Sequence, residues 1–310
     1  MGRPLDKQEA VLYGKFVNAA YAMFKRDQNV LHPEPATGDI PDPYEMVAWI
    51  IMSDFTFWGK EIPKFYGLIG RHQQQKRNFI LAIRGTEGAI EWLDDATAFL
   101  VPFRQVPTAG KVERGFDKIY ATLKVVKRHG VAAPLPTVKP TGAAAAALTT
   151  APVREVIQGT FAEQLERLAD TFEAPDVMSL AKERRPRRSF VVTGHSLGSA
   201  LATLFVMENK QKNKFDITTI CTFASPHVGN TEFVDQFDKL ALTSWRIVNT
   251  QDLVPKVPLR LPFFDYQHVA TPYEFSSAGV VKWGPACWHS MSTYLHWLDA
   301  SIDIDPECKP

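Results

Sequence analysis

Apolar residues recur at every third or fourth position in several segments, the spacing that places them on one face of a helix. In the first such segment they are Leu12, Phe16, Ala19, Ala20 and Met23. Similar patterns predict helices over residues 115–127, 161–172, 199–210 and 291–298. Prolines at positions 33, 35, 41 and 43 follow the first helix and predict a surface loop there.

Short, mostly apolar runs rich in aromatic and β-branched residues predict buried strands. These runs are residues 65–70, 79–83, 189–193, 217–223 and 244–248. Because helical segments lie between several of them, the fold class is predicted to be α/β with a mostly parallel sheet. The turn at residues 72–78 is short enough to join the first two strands as an antiparallel hairpin, so the sheet is expected to be mixed. An alternating segment at residues 267–275 is typical of a further strand.

The composition is that of a globular protein, with 310 residues of which 45% are hydrophobic and 22% are charged. Since α/β chains of this length often fold as one unit, residues 1–310 are expected to be a single domain. Residues 131–152 are rich in alanine and proline and cannot supply a packed core. They begin a predicted surface insertion over residues 131–188, which includes the helical pattern at 161–172 and a basic run at 182–188.

The charge balance and the hydropathy of the chain bear on nucleic-acid binding and on membrane insertion. Lysine plus arginine number 35 against 34 acidic residues, so the net charge of +1 supplies no electrostatic footprint for nucleic acid or an anionic membrane surface, and no nucleic-acid partner is predicted. The most apolar run, residues 46–52, is far shorter than the roughly 18 residues that cross a bilayer, so no transmembrane segment is predicted. Residues 1–10 show no secretory signal, which favours a cytoplasmic protein or one exported by a non-standard route.

The chain has three cysteines, Cys221, Cys287 and Cys308. Because the number is low and odd, disulfides are not expected to hold the fold together, and buried or idle thiols are predicted.

The sequence Gly194-His195-Ser196-Leu197-Gly198 fits the G-x-S-x-G nucleophile motif, and it stands between a predicted strand and a predicted helix. This context predicts a sharp turn that exposes the Ser196 hydroxyl at a helix N-terminus. The backbone N–H of Leu197 is expected to face the negative charge that develops on a carbonyl oxygen. Ser196 is therefore the candidate nucleophile.

A serine nucleophile needs a histidine base that a carboxylate orients. In α/β folds that carry this serine motif, the chain order is serine, acid, histidine. Asp252 follows the predicted strand at 244–248 and is the candidate acid, although an aspartate in such a loop also serves as a turn residue. Among the later histidines, His289 is favoured because it lies in a loop directly before a helical pattern. His268 and His296 remain alternatives, whereas His227 precedes Asp252 and is excluded by chain order.

The second donor to the oxyanion should follow an earlier strand, where Thr86 comes directly after Gly85. Thr86 also fits a helix N-cap. Beyond it, an amphipathic pattern that includes Ile90, Trp92 and Leu93 predicts a helix over about residues 87–103. This helix is either a packed surface element or a lid that meets lipid.

These motifs, in this order, resemble the class 3 lipases, the fungal-type triacylglycerol lipases of the α/β-hydrolase fold. The resemblance rests on residues 82–86, 92–95, 115–120, 194–198, 223–230, 246–258 and 289–294. It implies a mostly parallel mixed sheet with a lid, Ser196 as nucleophile, Asp252 as acid and His289 as base. It also implies an oxyanion hole of Thr86 and Leu197. Ser199, Ala224 and His227 depart from the family pattern without removing a catalytic group.

The resemblance implies hydrolysis of lipid esters, most directly of triacylglycerols, at a lipid–water interface. It implies neither a metal, a cofactor nor an obligate protein partner. Phospholipase A1 and feruloyl-type carboxylesterase activities are the alternatives among enzymes. A hydrolase-like protein that only binds a lipid or a partner is the alternative outside them.

Overall fold

The computed structural model describes residues 3–55, 61–86, 99–128, 156–173, 187–259 and 265–310. The helices in these ranges are α1 (Lys7–Arg26), α2 (Arg114–Tyr120), α3 (Phe161–Asp170), α4 (Leu197–Lys212), α5 (Thr231–Asp238), α6 (Pro285–Trp288) and α7 (Met291–Leu298). The strands are β1 (Tyr44–Phe55), β2 (Glu61–His72), β3 (Asn78–Ile83), β4 (Leu100–Pro102), β5 (Lys111–Glu113), β6 (Lys124–Lys127), β7 (Ser189–His195), β8 (Asp216–Phe223), β9 (Gly229–Asn230), β10 (Thr243–Asn249), β11 (Tyr266–Gln267) and β12 (Pro272–Phe275). No described helix is both long enough and apolar enough to cross a membrane.

Eight strands form the main sheet in the order β12-β10-β8-β7-β3-β2-β1-β6. Strands β12, β10, β8, β7 and β3 run parallel to one another, whereas the pairs β3–β2, β2–β1 and β1–β6 are antiparallel. The predicted mixed α/β sheet is therefore confirmed. A smaller sheet has the order β11-β9-β5-β4.

Helices cover both faces of the main sheet, because the central strands are apolar on both sides. On one face, α2, α3, α4 and α5 pack through residues such as Phe116, Phe161 and Phe205. On the other face, α1 and α7 pack through residues such as Phe16 and Tyr294. Because the helices lie on the two faces, polar side chains gather at the two ends of the strands. These two ends are called the edges of the sheet below.

Most predicted elements are present. The hairpin of β2 and β3 is antiparallel, with Gly67 paired to Ile83. Helix α4 covers the predicted segment 199–210, and α7 has the predicted bounds 291–298. Within the predicted insertion, α3 contributes Phe161, Leu165 and Leu168 to the core. Residues 131–155 and 174–186 of this insertion lie outside the described residues.

Two predicted elements are wrong, and one strand was not predicted. The segment 115–127 does not form one helix, because α2 ends at Tyr120 and Lys124–Lys127 form β6. Pairing with β1, where Ile51 lies opposite Lys124, decides this outcome against local spacing. The 12-residue strand β1 itself was not predicted. The segment 267–275 is also not one strand, since β11 and β12 belong to different sheets.

The prediction for two cysteines is also wrong. Cys287 and Cys308 form a disulfide across a sequence separation of 21 residues. Cys221 is a free, buried thiol, as expected. The fold brings the C-terminal segment back against α6, and no local pattern in the sequence indicates this pairing.

Candidate active site

Ser196 lies at the carboxyl end of β7, in the sharp turn before α4. Its backbone has φ 57° and ψ −129°, a strained conformation for a residue with a Cβ. The Ser196 N–H donates to the carbonyl of Phe223 over 2.9 Å, which ties the turn to the neighbouring strand β8. The predicted strand–turn–helix context of the motif is confirmed, but the predicted exposure is wrong, because Ser196 is buried at 2% exposed.

The two glycines of the motif are required by close backbone contacts. A Cβ on Gly194 would lie 2.4 Å from the carbonyl oxygen of Gly198. A Cβ on Gly198 would lie 2.2 Å from the carbonyl oxygen of Ile83, the last residue of β3. Since backbone atoms cannot move aside cheaply, only glycine lets β7, α4 and β3 meet this closely.

Ser199, one of the departures from the family pattern, supports the same turn. Its buried hydroxyl lies 2.7 Å from the carbonyl oxygen of Gly194 and 2.9 Å from that of Phe223. The side chain therefore links the first turn of α4 to β7 and β8.

Asp252 and His289 are in contact although 37 residues separate them. The Nδ1 atom of His289 lies 2.7 Å from Oδ2 of Asp252. The Asp252 residue is 1% exposed, and it accepts two further hydrogen bonds, from the Tyr294 hydroxyl to Oδ2 over 2.7 Å and from the Val254 N–H to Oδ1 over 3.0 Å. Such donors offset the cost of burying a carboxylate.

The contact with Asp252 assigns the tautomer of His289. A carboxylate only accepts hydrogen bonds, so Nδ1 of His289 carries the proton and Nε2 is left with a lone pair. This Nε2 atom is buried and makes no hydrogen bond to the residues that the structure describes. The His289 ring lies against that of His195, with 4.5 Å between centroids, so it is beside the Ser196 turn.

The alternative bases are held elsewhere by backbone carbonyls. Nε2 of His268 lies 2.7 Å from the carbonyl oxygen of Pro255, and its ring stacks on that of His227 at 3.9 Å. Nδ1 of His296 lies 2.7 Å from the carbonyl oxygen of Ile302. Of these histidines, the structure brings only His289 to Asp252 within its described part.

The strand end that precedes Thr86 packs directly on the nucleophile turn. A Cβ added to Gly85 would lie 2.7 Å from the Cβ of Ser196 and 3.1 Å from the carbonyl oxygen of His195. Thr86 is half-buried as the next residue, and Leu197 is the first residue of α4. This placement brings both predicted oxyanion donors close to Ser196, and their roles stay predictions.

Tyr21 on α1 contacts both the segment before Thr86 and the turn that carries Ser196. These contacts were not predicted. Its hydroxyl accepts the Gly85 N–H over 2.8 Å and lies 2.8 Å from Nδ1 of His195. Burial lowers the pKa of His195 well below its usual range, with a smaller effect of His289, so this imidazole is neutral at neutral pH. Tyr21 appears in the sequence only as one residue of an amphipathic helix, which gives no signal for a polar role.

The predicted lid residues Ile90, Trp92 and Leu93 lie outside the described residues, which exclude 87–98. At the end of the predicted lid segment, Leu100–Pro102 form β4 and not a helix. These three residues pair with β5 in the smaller sheet, which overrides the helical spacing at Leu100.

A family profile described as Lipase (class 3) matches residues 80–261. Relatives in plants carry the name phospholipase A1. Phospholipase A1-II 1 of Oryza sativa subsp. indica is 26% identical over 84% of this chain and 60% of its own length. Phospholipase A1-II 4 of Oryza sativa subsp. japonica is 30% identical over 71% of this chain and 50% of its own length. The chain thus spans half to three fifths of these two relatives.

Solved structures of fungal lipases share the fold. The native Rhizomucor miehei lipase propeptide complex has a TM-score of 0.55 at 17% identity, covering 86% of this chain and 67% of its own. Nonglycosylated Yarrowia lipolytica LIP2 lipase has a TM-score of 0.56 at 20% identity, covering 87% and 80%. The predicted α/β-hydrolase fold is confirmed.

Proposed function

The chain belongs to the class 3 lipase family, and from that premise we propose that it hydrolyses carboxylic esters of glycerolipids through an acyl-enzyme on Ser196. The observation that carries the proposal is the hydrogen-bonded pair of Asp252 and His289 beside a strained serine turn. A buried carboxylate that orients an imidazole next to a serine is the arrangement that activates a hydroxyl as a nucleophile.

In the proposed first half-reaction, Ser196 Oγ attacks the ester carbonyl and its proton passes to Nε2 of His289. Asp252 stabilises the imidazolium that forms. The N–H groups of Leu197 and Thr86 hold the negative charge on the tetrahedral intermediate, and each such donor contributes a factor of about 100 to 1,000 in rate. When the intermediate collapses, His289 donates the proton to the leaving alcohol.

In the second half-reaction, His289 takes a proton from water, which attacks the acyl carbon. The same N–H groups hold the second tetrahedral intermediate. Its collapse releases the fatty acid, and the proton returns from His289 to Ser196. Both half-reactions thus use the same serine, base, oriented acid and pair of N–H donors.

Substitution of the nucleophile tests the proposal. Ser196→Ala should lower kcat on p-nitrophenyl butyrate at least about 10⁴-fold with the fold intact, because the nucleophile is gone. An organophosphonate should label the parent protein at Ser196. Ser244→Ala is the matched control, since Ser244 is the second residue of β10 and lies at the opposite edge of the sheet. Near-parental activity in Ser196→Ala would refute the assignment.

Two substrate classes are proposed within this reaction. Glycerophospholipids come first, because the plant relatives named phospholipase A1 match most of this chain. Triacylglycerols come second, because the matching family is the class 3 lipases. Hydrolysis rates on a phospholipid, a triacylglycerol and a feruloyl ester rank them, and preference for the feruloyl ester contradicts both. A protein that neither reacts with the organophosphonate nor hydrolyses any of these esters would fit the non-catalytic alternative.

A further inference from the structure

Exposed apolar side chains gather on the sheet edge that carries Ser196. Trp283 is 82% exposed, the highest fraction for a large apolar residue in the described part of the chain. Leu259 is 60% exposed, Val280 43% and Leu253 42%. Leu253 and Leu259 follow β10, as Asp252 does. Val280 and Trp283 lie between β12 and α6, shortly before His289. Because the loops that follow β10 and β12 lie at the end of the sheet where β7 ends, these side chains can meet one surface there.

The Trp283 loop is held in place from below. The disulfide between Cys287 and Cys308 packs with Val281 and Ile304 in a small buried cluster. The Lys282 N–H donates to the carbonyl of Cys308 over 2.8 Å. The Trp283 ring meets the edge of the Trp288 ring at 5.2 Å, and the carbonyl of Trp288 accepts from Asn249 at the end of β10. Trp283 is therefore presented to solvent by a fixed support.

A basic cleft of about 920 Å³ lies along the same edge, on the other side of Ser196. Antiparallel pairing brings the carboxyl end of β1 and the start of β6 to the edge where β7 ends. Strand β1, which lines this cleft with Ile51, Met52 and Ser53, is about 14 Å from β7, at about 4.8 Å for each of three strand spacings. Its basic lining residues are Arg104, Arg114, Lys118 and Lys124. Its one acidic lining residue, Asp117, pairs with Arg104 at 3.3 Å.

We propose that this sheet edge is a docking face for an anionic phospholipid bilayer. Trp283 enters the headgroup region, where an indole is most stable, and the basic cleft receives headgroup phosphates. With one contact on each side of Ser196, docking holds the nucleophile toward the lipid. The inference rests on the proposed function, because it takes a lipid surface as the place where the substrate is met.

Vesicle binding by Ser196→Ala protein tests docking without hydrolysis. Co-sedimentation is measured with vesicles of phosphatidylcholine alone and with about one third phosphatidylserine. A second substitution, Trp283→Ala, should lower the partition coefficient at least about fivefold on both vesicles, and Trp283→Phe should restore most of it. Unchanged binding by Trp283→Ala overturns the anchor.

Charge reversal tests the basic cleft. Arg114→Glu with Lys118→Glu should lower binding at least about tenfold on the anionic vesicles alone, and should remove most of its dependence on salt. Lys210→Glu is the matched control, because this exposed lysine lies near the end of α4, at the opposite edge of the sheet. Equal losses for the control and the cleft variant overturn the proposal.

A soluble ester separates failure of docking from failure of the proposed function. Hydrolysis of p-nitrophenyl butyrate by protein that retains Ser196 reports the triad without a lipid surface. Trp283→Ala should lose at least about fivefold more activity on vesicle phospholipid than on this ester. Equal losses on both substrates overturn the anchor, whereas a parent inactive on the ester but bound to vesicles refutes only the proposed chemistry.

Discussion

At the scale of single residues, the hydroxyl of Tyr294 is the contact with the clearest consequence for chemistry. It donates to Asp252 and accepts the Asn249 N–H over 3.2 Å. Burial, and then the charge of Asp252, raises the pKa of Tyr294 well above its usual range, so the hydroxyl stays protonated. Asp252 thus keeps a second donor while it orients His289.

Tyr294→Phe should lower kcat on a soluble ester about tenfold with little change in KM, because a hydrogen bond to a charged group is lost. The carboxylate then attracts the imidazolium more strongly, so the acid limb of the pH profile of kcat/KM should move to higher pH.

Tyr13→Phe is the matched control, because Tyr13 donates to the Glu9 carboxylate over 2.9 Å on α1. It should leave the pH profile where it is. A Tyr294→Phe variant with the parental profile would show that this hydroxyl only supports packing.

At the scale of elements, the disulfide joins α6 to the C-terminal segment only two residues before His289. Closing a loop of this size lowers the entropy of the unfolded chain and stabilises the fold by about 3 kcal/mol. The same bond holds the residues that lead into α7, so it supports the position of the base as well.

Cys287→Ser with Cys308→Ser should lower the free energy of unfolding by about 2–4 kcal/mol in urea titrations. Dithiothreitol should do the same to the parent and lower its esterase activity, while leaving the double variant unchanged. Cys221→Ala, which removes the buried free thiol, should keep the sensitivity to dithiothreitol. A parent indifferent to the reductant would contradict the supporting role.

At the scale of the whole molecule, buried histidines link stability to pH. Burial, and then Arg246 and His227, lowers the pKa of His268 to about 3. His195 is shifted in the same direction. Because the unfolded chain binds these protons below about pH 6.5 and the folded chain does not, stability is present above that pH and is lost as the pH falls.

His268→Gln should reduce this loss. Between about pH 7 and pH 5, the free energy of unfolding of the parent should fall by about 1–2 kcal/mol more than that of the variant, as measured by urea titration. Glutamine retains a donor for the Pro255 carbonyl, which limits other effects. Identical slopes for the two proteins would contradict the assignment.

Some elements of the fold follow from local sequence, whereas others depend on contacts between distant segments. Helices α1 and α4, the hairpin of β2 and β3, and the turn at Ser196 were predicted, because apolar spacing and the backbone preference of glycine act over a few residues. Strand β6 was predicted as helix, because its pairing with β1 depends on residues more than 70 positions away. The single-domain prediction stays a prediction.

The sequence alone determined which residue types and motifs could form a hydrolase site, and in which order along the chain. It left three histidines open for Asp252, gave no sign of the Tyr21 contacts and did not indicate that Cys287 meets Cys308. Only the tertiary structure decided these, because each contact joins segments that are distant in the chain, and their approach depends on how both faces of the sheet are packed.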